Sequence, residues 1–186
     1  MKFSKFIWIP VMVAFLAFTI QIVDQVLAPL VPPAGNAGFG WIAFQAWAMY
    51  FMAGCNVEGG IKTFIGYANG IIASILIMTL GATLMPSLGF FGFPVAVFAI
   101  VIPVIALERV PWADFVPSVF VGAGVFFGFM SYVPGATFTG AATTEIIYCA
   151  LGLFYGYVTI KLRTAYENSV QKNEPANADS AQTRAS

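Results

Sequence analysis

The feature that most constrains this chain is a succession of apolar segments, each near the length of a membrane-crossing helix and almost free of charge. A hydrocarbon core of about 30 Å needs roughly 20 helical residues to cross it. Six segments approach that length, at about 6–27, 39–54, 61–84, 90–107, 115–132 and 143–162. Joints rich in proline or glycine separate several of them, at 29–35, 86–89, 110–117 and 134–140. The expected architecture is therefore all-α: a polytopic membrane protein with six transmembrane helices in one domain over residues 1–166. The second segment is short for a span and is expected to tilt, extend or break, and Pro94 and Pro103 are expected to kink the fourth.

Composition agrees with hydrocarbon as the solvent. Apolar residues make up 60% of the chain and charged residues only 9%, against about a quarter in an ordinary soluble domain. Eight basic and eight acidic side chains balance, leaving no basic patch for nucleic acid. The run 6–30, which follows Lys2 and Lys5, resembles a signal peptide but has no clear small-residue cleavage site before Gln21 and Asp24, so an uncleaved helix is the better reading. After Val170 large apolar side chains almost disappear, and residues 167–186 read as a mobile cytoplasmic tail.

Charge placement gives an orientation. With Lys2 and Lys5 in the cytoplasm, six spans place Lys62, Arg109, Lys161, Arg163 and Lys172 on that side or at its edge, while the joints near Pro32, Ser87 and Pro134 carry no Lys or Arg. That asymmetry predicts that both termini are cytoplasmic.

Chemistry is constrained by what is missing. The chain has no histidine, and Cys55 and Cys149 are its only cysteines, so a disulfide scaffold, a Cys and His metal site and histidine acid–base catalysis are all excluded. No cofactor motif and no recognisable carboxylate metal motif is present, and no enzymatic activity is expected. The segment 54–62 has two readings. Asn56 can cap a helix and Glu58 sits four residues before Lys62, which is local structure; or the turn forms one mouth of a substrate path.

Glycine pairs at four-residue spacing, Gly66 with Gly70, Gly124 with Gly128 and Gly152 with Gly156, each put two small residues on one helix face. They suit close helix packing, or the wall of a narrow passage. Polar residues inside apolar segments must face protein, water or a cavity. Asp24 and Glu145 are expected at the outer interface, and Gln45 and Asn69 either tie helices together or line a passage that Trp47 and Tyr50 narrow. The candidates for a substrate pathway are Gln45, Trp47, Tyr50, Asn69, Asn56, Glu58, Asp24 and Glu145. A faint likeness between the second and third segments and the fifth and sixth allows two inverted three-helix halves.

Tyr50-Phe51 through Asn56, Gly59-Gly60 and Lys62, together with Phe115-Val116-Pro117, Phe120-Val121-Gly122-Ala123 and Leu151-Gly152-Leu153, resemble the YcdZ-like family of small bacterial inner-membrane proteins, the DUF1097 group of unknown function. The resemblance covers about residues 7–165. It implies a compact protein of the bacterial inner membrane, a transporter or channel, and supplies neither a substrate nor catalytic residues. The leading expectation is a channel or facilitator for a small, mainly neutral solute in the lipid bilayer, with a homo-oligomer compatible with the glycine faces. The alternative is a structural or interaction protein with no pathway; a membrane enzyme has the least support.

Overall fold

A computed structural model describes the backbone of residues 3–183 and the side chains of residues 3–172. The described chain is all-α. A short α1 (Phe3–Phe6) leads into α2 (Trp8–Leu27), which tightens into a 3-10 turn (Ala28–Leu30) where Pro29 stops the helix. After the loop come α3 (Gly40–Met52) and α4 (Val57–Leu88). Asn56 caps α4, its side-chain oxygen accepting from the Gly59 N–H at 2.8 Å, so the expected local role of this residue is what the structure shows. A break at Gly89, with φ +53°, separates α4 from α5 (Gly92–Ala106). Pro94 falls in the first turn of α5, where its missing N–H removes no helical bond, while Pro103 lies inside the helix. Then follow α6 (Val116–Tyr132), with Pro117 in its first turn, and α7 (Phe138–Thr183). The expected tail at 167–186 begins within α7, and its side chains from 173 onward lie outside the described residues.

The protein is polytopic, but the expected count of six transmembrane helices is not what the fold provides. Among the described residues three helical stretches are long and apolar enough to cross a membrane: Phe3–Leu30, Val57–Arg109 and Phe138–Lys172. Hydropathy marked the third and fourth segments as two spans, yet both lie in the single apolar stretch Val57–Arg109. The second and fifth segments fold as helices of 13 and 17 residues, about 20 Å and 26 Å long, short of the hydrocarbon thickness. The two inverted three-helix halves required six spans and are withdrawn with them. Apolar composition showed which segments avoid water; helix length, fixed by where caps and breaks fall, decided which can cross.

Three hydrogen bonds tie α1 and α2 to α7 and set α2 antiparallel to it. The Tyr166 hydroxyl donates to the Lys5 carbonyl at 2.6 Å, the Tyr155 hydroxyl to Thr19 Oγ1 at 3.1 Å, and the Tyr148 hydroxyl to Asp24 Oδ1 at 2.6 Å. The start of the described chain and the later turns of α7 therefore lie at one end of the molecule. Large apolar side chains such as Phe15, Phe18, Phe98 and Phe154 point outward, the distribution expected of a surface covered by lipid.

Glycines set the close contacts inside. A Cβ on Gly152 would strike the Ala43 carbonyl of α3, and one on Gly156 would come within 2.7 Å of the Tyr50 side chain, so α3 lies directly on α7. Gly66 and Gly70 on α4 meet Ser118, Val119 and Ala123 of α6 in the same way. The third expected pair does not follow this pattern: nothing lies within 4 Å of a Cβ built on Gly124 or Gly128. Equal spacing in the sequence marks a smooth face but not which faces acquire a neighbour.

Candidate functional site

The loop after α2 organises a buried polar cluster. Asn36 ties the loop together, its side-chain amide donating to the carbonyls of Ala28, Val31 and Pro33 at 2.7–2.9 Å while its oxygen accepts from the Gly38 N–H. Gly38, at φ +95°, brings the backbone against the Asp24 carboxylate so closely that a Cβ would clash with it. The carboxylate then accepts from the Phe39 N–H at 2.8 Å and from the Tyr148 hydroxyl at 2.6 Å. Thr144 Oγ1 donates to the Pro32 carbonyl at 2.7 Å, which docks the same loop on the first two turns of α7.

Next to Thr144 on α7 is Glu145. Its side chain is fully buried, and neither carboxyl oxygen has a hydrogen-bond partner among the described residues. Tyr67 of α4 is likewise fully buried with an unpartnered hydroxyl, within electrostatic range of Glu145 and of Cys149 one turn along α7. The indole N–H of Trp47 on α3 is a third buried polar group without a partner. The Trp47 ring itself is held between Phe44 and Tyr155, with centroids 5.9 and 5.7 Å away.

Asp24 and Glu145 were expected at the outer interface, and both are buried, with 7% and 0% of their surface exposed. Both lie near the ends of their apolar segments, and the loop between α2 and α3 bonds to Asp24 through the Phe39 N–H and to Thr144, the chain neighbour of Glu145, through the Pro32 carbonyl.

The other candidates separate into two places. Gln45 is exposed on α3 and lines an open cavity of about 380 Å³ with Trp41, Val121, Gly124 and Gly128. Asn69 on α4 is half-buried and lines neither this cavity nor those containing Tyr50. No side-chain hydrogen bond of either amide is seen among the described residues, and none of these cavities is lined by both. Tyr50, Asn56 and Lys161 line a second, more polar cleft of about 260 Å³ at the far end of α3. Glu58 forms an ion pair with Lys62 at 3.5 Å, and Lys62 also reaches Asp114 at 2.9 Å. These pairs lie at the surface, where solvent screens them. Asp114→Ala is accordingly expected to leave the unfolding temperature in detergent nearly unchanged; a large drop would show that Lys62 needs this partner to hold the turn.

Tyr67, Tyr148 and Cys149 were not among the sequence candidates. The signal was present on α7, where Ala141, Thr144, Glu145, Tyr148, Cys149 and Gly152 repeat at three- and four-residue spacing and form one buried stripe. Nothing in the sequence paired that stripe with Tyr67. Among the described residues no group of three or more His, Cys, Asp or Glu comes together to hold a metal.

Long apolar helices and an outward apolar surface define a multi-pass membrane protein associated with the lipid bilayer. Within that class the chain belongs to the DUF1097 family, described as a protein of unknown function, whose model matches residues 11–163. The resemblance seen in the sequence is thereby established for most of the chain. No curated protein and no solved structure matches it.

Proposed function

We propose that this protein is a channel or facilitator for a small, mainly neutral polar solute in the inner membrane of a bacterium, with no enzymatic step. The observation that supports the reading is the set of buried polar groups without partners among the described residues, on three different helices: the Glu145 carboxyl, the Tyr67 hydroxyl and the Trp47 indole N–H. A polar group in hydrocarbon costs several kcal/mol unless something hydrogen-bonds to it, and a bundle that used such groups only as glue would pair them with one another. At Asp24 the fold does so; at these three positions it does not. Uptake of a panel of small polar compounds into vesicles holding the purified protein should exceed uptake into empty vesicles, and Tyr67→Phe should lower it per folded molecule. No flux for any compound would count against the reading.

The orientation is part of the same proposal. The bias of Lys2, Lys5, Lys161 and Arg163 favours both ends in the cytoplasm by the positive-inside rule, and the bond between Tyr166 and the Lys5 carbonyl supports a common side; this needs an even number of crossings, which the three apolar stretches give when Val57–Arg109, broken at Gly89, crosses and returns. After Cys55→Ser, single cysteines at Ser4 and Ser169 are expected to react with an impermeant reagent from the same side. Labelling from opposite sides would sink the arrangement.

A second reading, a structural or interaction protein, is favoured by the tight backbone contacts at Gly66, Gly70, Gly152 and Gly156. Self-association belongs to it, with the uncovered face at Gly124 and Gly128 as the contact between copies. Mass measurement of the protein in its detergent micelle tests this, and a monomer that still supports flux would set it aside.

A further inference from the structure

The fold contains two buried carboxyl groups that it treats in opposite ways. Asp24 receives a backbone N–H and a tyrosine hydroxyl, both on Oδ1, so the fold supplies it with hydrogen-bond donors. Glu145, about one helical turn from Tyr148 on the same helix, receives nothing and is sealed from solvent. An ionised carboxyl without donors or a counter-charge is among the costliest groups to bury, whereas its neutral acid is tolerated.

The ionisable groups on the elements packed against α7 do not supply that counter-charge. From α4 the facing group is Tyr67, and the ion-paired Glu58 and Lys62 lie in its first turns; from α2 it is Asp24, already bound to Tyr148. On α3 it is Tyr50, beside Gly156 and so about three turns along α7; on α6 it is Tyr132, at an exposed helix end. On α7 itself it is Cys149, fully buried. No lysine or arginine reaches Glu145 among the described residues.

We propose that Glu145 is a proton-binding site. Its carboxyl holds a proton while the bundle is closed around it and gives that proton to water when the site opens, the O–H bond breaking without any change in oxidation state. Tyr67, within electrostatic range, is the neighbour that hydrogen-bonds the carboxyl when either side chain moves, since neither hydroxyl nor carboxyl has another partner among the described residues. Insofar as the protein conducts a solute, which is the reading above, solute passage is then linked to movement of one proton.

The test is infrared spectroscopy of the full-length protein in vesicles at neutral pH. A carbonyl stretch of a protonated carboxylic acid is expected, shifted by growth on carboxyl-13C glutamate and lost in Glu145→Gln. Raising the pH should convert it to carboxylate bands as the proton leaves. The isotope shift needs no variant, so misfolding of Glu145→Gln would not obscure the result. Absence of an isotope-shifted acid band, or a Glu145→Gln spectrum that loses only carboxylate bands, would overturn the proposal. For any compound that shows flux, an entrapped pH dye should report proton movement with the wild type and none with Glu145→Gln; flux with no proton movement in the wild type would overturn the linkage. No flux for any compound, with the acid band present, would uphold the proton site and defeat only the transport reading.

Discussion

Gly122→Leu is expected to prevent stable folding, whereas Gly124→Leu, two residues along the same helix, is expected to leave thermal stability in detergent close to wild type. A Cβ on Gly122 would sit 2.7 Å from Tyr67 Cα and 2.9 Å from its carbonyl oxygen, so α6 could accept a side chain there only by moving off the α4 backbone. Overpacking in a core costs about 1–3 kcal/mol when side chains can shift, and backbone cannot shift as they do. The contact also holds the Gly66, Gly70 and Ser118 surfaces together and places Tyr67 against the stripe on α7, so its loss would open the polar cluster as well. At Gly124 a side chain enters open space, and replacing a helical glycine gains up to about 1 kcal/mol of helix propensity. Yield of monodisperse protein and the unfolding temperature of both variants provide the measurement. Equal stability of the two would refute the assignment of Gly122 to a backbone contact.

The second large effect concerns Asp24. Asp24→Ala should destabilise the protein by about 3–5 kcal/mol, because it strands two buried donors, the Phe39 N–H and the Tyr148 hydroxyl, each worth about 1–3 kcal/mol when left unsatisfied. Tyr148→Phe removes one donor and its bond together and leaves Asp24 still accepting from Phe39, so its cost should be smaller. Combining the two should cost clearly less than their sum, since the alanine variant has already lost the bond that the phenylalanine variant deletes. Unfolding of the two single variants and the double variant in one detergent gives the coupling. Strict additivity would mean that the Asp24 to Tyr148 bond carries no stability. The loop between α2 and α3 should loosen in Asp24→Ala, seen as faster amide exchange around Phe39.

The chain shows how far linear patterns reach. Asn56 followed by Glu58 and Lys62 announced a helix start with a local ion pair, and the structure builds both because each contact spans at most four residues. Proline at 29 and glycine at 89 likewise mark helix ends through backbone geometry that any fold would respect. Glu145 was legible as an acidic residue in an apolar segment and so as a candidate, but its environment was not. Its surroundings are built from elements far apart in the chain, among them the loop that the neighbouring Thr144 reaches at Pro32, 112 positions away, and Tyr67 on α4.

By itself, then, the sequence determined that this is an all-α membrane protein of a recognisable family, where most helices begin and end, and which polar residues lie in apolar surroundings, because apolar content, caps and breakers act over a few residues. Only the tertiary structure decided how many stretches are long enough to cross a bilayer, which glycine faces meet a neighbour, that Asp24 is satisfied while Glu145 is not, and that Tyr67 belongs beside it. Those properties arise from helix length between breaks and from contacts between residues far apart in the chain, where burial is set by the partner and not by the residue's own polarity.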